Sequence, residues 1–218
     1  MQFKKNVGVY AADGEMVGTV DRVVIDPGSN KVSHIVVRKG FIFRDDKVIP
    51  IEAIVSAMDD AVILKPAIRY EDLPKFEQRH YIPYHDLNQK EVQEDYQTEP
   101  LFWYPSADAG YAGYPYLSDY QPPQGEIVIT RNIPSGSLPL EEGADVIDSN
   151  GKKIGSVGRI FVNNDDEITH FVISQGLFFK AEKLIPVQWV RIEGENKIHL
   201  RVSADFLENL PEFMSASS

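Results

Sequence analysis

Apolar residues in this chain gather in short, strand-length runs. VGVYAA, MVGTVDRVVID, VSHIVVRK, KVIPI, IVSAM and AVILK follow one another from Val7 to Lys65, each rich in Val and Ile and most bounded by turn-forming residues. Asp13-Gly14 marks a two-residue hairpin turn, because such turns need the positive φ that Gly, Asn and Asp tolerate. The pattern predicts a first hairpin over residues 10–26 and a last one over 54–64. Five or six short antiparallel strands in about 60 residues predict a small closed barrel, an architecture that removes most exposed strand edges.

The pattern is written twice. HIVVRKGFIFRDDKVIP from His34 to Pro50 returns as HFVISQGLFFKAEKLIP from His170 to Pro186. At an offset of 137, Gly14, Gly18, Val20 and Arg22 fall on Gly151, Gly155, Val157 and Arg159. At 136, His34, Val36, Gly40, Phe43, Lys47, Ile49 and Pro50 fall on His170, Val172, Gly176, Phe179, Lys183, Ile185 and Pro186. At 137 again, Leu73, Pro74 and Phe76 fall on Leu210, Pro211 and Phe213. The changes of offset are expected in DPGSNK against NNDDE and in MDDA against GENK, since loops vary where elements do not. Gly18 and Gly155 interrupt a strand at the same place, as at a bulge or barrel corner. Alternation places Val32, His34 and Val36 on one strand face and Ser33, Ile35 and Val37 on the other. Both faces are largely apolar. One is expected to line the barrel interior, the other to lie under the tail YEDLPKF or LENLPEF, the sister barrel or a partner.

Residues 77–125 differ. They hold eight of the ten Tyr and six Pro, with no strand or helix period in WYPSADAGYAGYPYLSDYQPPQG. Ordinary linkers are poor in aromatics, so this segment is expected to dock partly on a barrel surface through its rings. The organisation that follows is a first barrel over 1–76, an acidic Tyr/Pro-rich connection over 77–125 and a second barrel over 126–218.

The residues GEMVGTVDRVVIDPGSNKVSHIVVRKG and KVIPIEAIVSAMDDAVIL, with GKKIGSVGRIFVNNDDEITHFVISQG and KLIPVQWVRIEGENKIHL, resemble the PRC-barrel family. The shared signature is a G-x-x-[IV]-G hairpin, an apolar strand, a [VI]-[ST]-H-[IF]-V strand and an I-P strand. The resemblance covers roughly residues 6–76 and 143–213. It implies two tandem six-stranded, mostly antiparallel barrels serving as binding and assembly modules. The family includes the cytoplasmic domain of the reaction-centre H subunit and the terminal barrel of a ribosome maturation factor. This chain shows neither the membrane helix of the first nor the preceding barrel of the second, so neither specific role carries over.

Charge narrows the choice of partner. The net charge is −11. Residues 1–76 hold eleven basic and eleven acidic groups, residues 77–125 two and eight, and residues 126–218 nine and fourteen. Phosphate neutralisation dominates nucleic-acid affinity, so nucleic acid is not an expected partner; an anionic membrane surface is disfavoured for the same reason. The chain contains no Cys, which excludes disulfides and thiolate chemistry. MQFKKNVGVYAADGEMVG lacks the apolar core of a secretory signal, and nowhere do 18 apolar residues run together. A cytoplasmic location without a membrane segment is expected.

Candidate chemistry is sparse. His34 and His170 repeat in phase, and imidazole serves as ligand or proton carrier. A metal needs three or four ligands, and the first copy offers no second His; the second offers His199, where the first has Ile63. The favoured reading is a barrel His held by backbone. His80, His85 and Asp86, followed by Glu91, Glu94 and Asp95, form a second candidate, favoured as a solvated loop. Asp45-Asp46, Asp59-Asp60, Glu141-Glu142 and Asp165-Asp166 are expected in turns, not facing each other across a cleft as acid–base pairs must. Phosphate loops, nucleophile elbows and HExxH helices are not written in the chain. Phe102-Trp103-Tyr104, Phe41-Ile42-Phe43 and Leu177-Phe178-Phe179 are apolar clusters in expected loops, where contact sites are found.

The expectation is therefore an all-β protein of two tandem small antiparallel barrels with an aromatic connection. It is read as a non-enzymatic protein-interaction module with no catalytic, cofactor or metal residues, either dimeric or paired barrel on barrel within one chain. A metal- or small-ligand-binding stress-related protein and a ribosome-assembly adaptor are the alternatives.

Overall fold

The computed structural model describes residues 1–40, 45–66, 68–83, 97–100, 125–141, 143–175 and 181–214. The chain divides into two compact units, residues 1–76 with 133–218, and residues 77–132. In the first unit the N-terminal copy contributes β1 (Gln2–Phe3), β2 (Gly8–Tyr10), β3 (Met16–Asp26), β4 (Lys31–Lys39), β5 (Asp45–Pro50), β6 (Ile54–Ala57) and β7 (Ala61–Leu64). The smaller unit is a three-stranded sheet of β8 (Glu77–Pro83), β9 (Gln97–Pro100) and β10 (Gly125–Arg131), with β10 in the middle. The second copy contributes β11 (Leu138–Glu141), β12 (Asp145–Ile147), β13 (Lys153–Val162), β14 (Ile168–Gln175), β15 (Ala181–Pro186), β16 (Val190–Ile192), β17 (Lys197–Leu200) and the short helix α1 (Ala204–Glu208).

Each copy builds the same curled sheet. The orders are β5-β4-β3-β2-β7-β6 and β15-β14-β13-β12-β17-β16. Neighbours are antiparallel except β2 with β7 and β12 with β17, which run parallel. The seventh strand of each sheet comes from the other copy. β1 pairs β13, with Phe3 opposite Ile160, and β11 pairs β3, with Leu140 opposite Val23. Phe3 and Leu140 stand 137 residues apart, as do Val23 and Ile160, so the exchange is reciprocal. A second reciprocal contact closes the seam. The Val32 amide donates to Asp166 O at 2.8 Å, and the Ile168 amide donates to Asn30 O at 2.9 Å. Phe3, Val23, Leu140 and Ile160 are fully buried in one apolar core that runs through both copies.

Local sequence explains the bends. Gly18 and Gly155 sit beside register shifts, opposite Val9 and Val146. A Cβ on Gly18 would stand 2.5 Å from the Arg38 carbonyl oxygen, so only glycine lets β3 approach β4 there. The first hairpin differs by one residue from expectation. Ala11 N–H donates to Glu15 O at 2.8 Å, closing a three-residue loop in which Gly14 has φ +89°; Asp148 and Lys152 close the matching loop at 2.9 Å around Gly151. Only the last loop residue needs positive φ, as in three-residue hairpins.

Two further expectations are corrected. Strict alternation fails along β4 and β14 because Ser33 and Thr169 are bulge residues: Val24 faces His34 while Ile25 faces Val32, and Phe161 faces His170 while Val162 faces Ile168. The bulge returns Val32 to the interior beside Ile35 and Val37. The hydroxyls of Ser33 and Thr169 reach the carbonyls of Val24 and Phe161 at 3.5 and 3.4 Å. MDDA and GENK, moreover, hold no net insertion, since Gly8 pairs Ala61 and Asp145 pairs Lys197. The extra residue lies beyond the last strand, where one copy has a 3-10 turn over Tyr70–Asp72 and the other has α1.

The tails cover the outer faces of β4 and β14. Phe76 packs on Val24, Val36 and Val48, and its amide donates to Asp46 O at 2.8 Å. Phe213 donates to Glu182 O at 2.7 Å and stacks edge-on against Phe161 at 5.9 Å.

Candidate functional site

His34 and His170 stay in their own barrels, opposite Pro50 and Pro186 on the neighbouring strands. Both are half-buried. The Nδ1 of His34 is buried and makes no hydrogen bond. Burial pushes its pKa below the ordinary histidine value, against the raising influence of Glu52. Among the described residues, no three His, Asp or Glu side chains gather as a metal-holding group. The HYIPYHD candidate is only partly visible: His80 lies in β8, while His85, Asp86, Glu91, Glu94 and Asp95 fall outside the described residues. The apolar clusters at 41–43, 102–104 and 177–179 fall outside them as well.

Carboxylates are engaged in structure. Asp45 and Asp46 lie in β5, a correction to the turn expected for them, and Arg38 Nε stands 3.5 Å from Asp46. Glu141 closes β11 and accepts from Arg22 at 2.8 Å. Asp59-Asp60 and Asp165-Asp166 do lie in turns.

Two repeated cations carry structural duties that sequence reading had left without a role. Lys47 and Lys183, the Lys of KVIP and KLIP, are 7% and 5% exposed. Their ammonium groups donate to Leu73 O and Leu210 O and so fasten each tail to its barrel. Arg22 and Arg159 lie over the Phe76 and Phe213 rings at 5.5 and 5.7 Å. Each also reaches an acid in the other copy, Arg22 to Glu195 at 2.7 Å and Arg159 to Asp59.

What distinguishes the copies is the outer face of β3, β2, β7 and β6. Pairing aligns Met16 with Tyr10, Tyr10 with Ile63, and Ile63 with Ser56, beside which Val55 is bulged in. Residues directly opposite share a face. Val9, Val17, Val62 and Leu64 occupy the interior between them, so this row points outward. Met16 is 48% exposed, Val55 60% and Met58, in the following turn, 56%. Tyr10 packs against Gly8, where a Cβ would meet its ring at 2.7 Å. The equivalent row of the second copy reads Lys153, Ile147, His199 and Arg191. Ion pairs run from Lys153 to Asp145 at 2.6 Å and from Arg191 to Glu193 at 2.8 Å, and His199 Nε2 lies 3.0 Å from a Glu193 carboxylate oxygen. The second copy obeys the rule that a solvated sheet face is polar; the first breaks it. The signal was present in the sequence as Ile63 against His199, and it becomes legible only when Met16, Tyr10 and Val55 are aligned beside it.

A family model for the PRC-barrel domain matches residues 5–68 and 142–207, the two copies of this sheet. The chain belongs to the PRC-barrel domain family. No curated protein matches it. Both PRC-barrel copies retain the strand order, the tail-fastening lysine and the arginine across the seam, whereas the outer row has Met16, Ile63 and Val55 in one and Lys153, His199 and Arg191 in the other. Among the described residues, no helix is long and apolar enough to cross a membrane.

Proposed function

We propose that this PRC-barrel protein is a non-enzymatic interaction module that holds a protein partner on the outer face of its first barrel. The observation that carries this reading is the row Met16, Tyr10, Ile63 and Val55, apolar where the second copy places Lys153, His199 and Arg191 on the same scaffold. The fold itself tolerates charge at this place, so core formation does not account for the apolar side chains. Exposed apolar patches of this kind mark contact sites. Methionine at Met16, with Met58 in the turn beside the row, suits an adaptable contact, since its thioether and three rotatable bonds conform to different shapes. The net charge of −11 favours a protein over nucleic acid. A cytoplasmic setting belongs to the same proposal.

Affinity capture from native lysate with the full chain tests it. The double variant Met16→Lys, Val55→Arg gives the first barrel the character of the second without touching the core. Wild type is expected to retain a defined set of proteins that the variant loses. Identical captured sets would overturn the proposal.

A further inference from the structure

We infer that the occupant of this face is a single amphipathic helix of a partner protein, apolar on one side and basic at its flanks. The inference rests on the interaction reading above and adds the shape and charge of the ligand. Size is the first argument. Stable interfaces between whole proteins use about 20–30 residues a side. This row offers Met16, Tyr10, Ile63 and Val55, with Met58 beside it. That suits the i, i+3, i+4, i+7 stripe of one helix, which presents a few anchors in line. It is too little for a second copy of the chain to dimerise through alone.

Charge is the second argument. The β2–β3 hairpin that borders the row exposes Asp13 and Glu15, and the β6–β7 turn exposes Asp60. Lys65 follows β7 as a countercharge. The acids outnumber it at this rim. Basic flanks are drawn to such a rim, and an anionic lipid surface is repelled by it. The second copy is the internal comparison: Lys153, His199 and Arg191 stand there in place of Met16, Ile63 and Val55, which leaves Ile147 as the apolar side chain of that row and removes the line of anchors the helix needs.

The test uses a fluorescent synthetic peptide of about 18 residues, Leu on one helical face and Lys on the other, with a scrambled peptide of the same composition as control. Anisotropy is read with the full chain and with two double variants, Met16→Lys with Val55→Arg, and Met16→Glu with Val55→Glu. Both variants are checked for a wild-type melting temperature, and the single variant Met16→Lys stands in if a double variant melts early. Wild type is expected to bind the striped peptide saturably and the scrambled one poorly, and both double variants to bind about tenfold more weakly. Absence of saturable binding, or tighter binding by the Glu variant, overturns the inference, because attraction would then be absent or purely electrostatic. A dimer in sedimentation that the Lys/Arg variant abolishes would make a second copy the occupant and overturn it too. So would binding to phosphatidylserine-containing vesicles that the Glu variant loses. In each of these cases a persisting difference in lysate capture leaves the interaction reading standing, while loss of that difference removes both.

Discussion

Arg22 of the first barrel donates to Glu195 of the second at 2.7 Å, and Arg159 of the second pairs with Asp59 of the first. The acids occupy matching turns, before β7 and before β17, so the two arginines perform one job twice about a pseudo-two-fold relation. Each also stacks on its own tail phenylalanine. One side chain therefore couples the tail, the barrel and the neighbouring barrel. Arg159→Ala is expected to lower unfolding free energy by about 2 kcal/mol in urea denaturation, given the loss of a buried guanidinium's ion pair with a half-exposed acid and of its stacking on Phe213. Arg159→Lys should recover less than half, because a point charge cannot both stack and donate in that geometry. Full rescue by Lys would show that charge alone matters.

The exchanged strands predict shared stability. Phe3 and Leu140 are fully buried in the core that both copies build. Phe3→Ala should cost about 3–5 kcal/mol and Leu140→Ala about 2–5 kcal/mol. In native-state hydrogen exchange, Phe3→Ala should accelerate amides of β3 and β13 alike, since the two copies open as one unit. Acceleration confined to β13 would indicate barrels that unfold independently.

Lys47 predicts a local effect. Lys47→Met keeps the stem in its slot and removes the donor to Leu73 O at 2.9 Å. The Phe76 amide, which donates to Asp46 O, should then exchange about tenfold faster as the tail loosens, while core amides stay unchanged. Lys183→Met should do the same to the Phe213 amide. Unchanged exchange at Phe76 would mean that Phe76 packing alone holds the tail.

His34 predicts a pH window. Its ordinary pKa is 6.5, and burial lowers it in the fold. Below about 6.5 the unfolded chain takes up a proton that the folded protein resists, so stability should fall as pH drops through that value and level off below the folded pKa. Asp26 and Asp148 act elsewhere: hydrogen bonds from Ser29 and Gly28, and from the Lys152, Ala204 and Asn150 amides, hold their pKa values below 3.8, and their contribution is lost only in stronger acid. The urea midpoint should drop between pH 7.5 and 5.5, about the ordinary histidine value, and His34→Gln should flatten part of that drop. An identical drop in His34→Gln would assign it to other groups.

Much of this architecture was readable from the sequence. In-phase Val/Ile runs and turn glycines give the duplicated barrel, because alternation and turn chemistry are local. Tail covering of β4 was among the alternatives that its apolar second face allowed. The exchange of β1 and β11 was not readable: a two-residue strand such as Gln2–Phe3 carries no period, and its partner lies far along the chain. Bulges at Ser33 and Thr169 defeated simple alternation, since nothing local separates a bulged Ser from a paired one. The candidate face is not legible in the sequence for a related reason. Met16, Tyr10, Ile63 and Val55 are scattered in sequence and become neighbours only through the register of four strands.

The central claim is that the first barrel, and not the second, receives a protein partner on this row. Site-specific photocrosslinking in the native cell tests it most directly, with p-benzoylphenylalanine placed at Val55 in one strain and at Arg191 in another. The account predicts a discrete crosslinked adduct from position 55 and none from position 191. Equal adducts from both positions, or none from position 55, would contradict it.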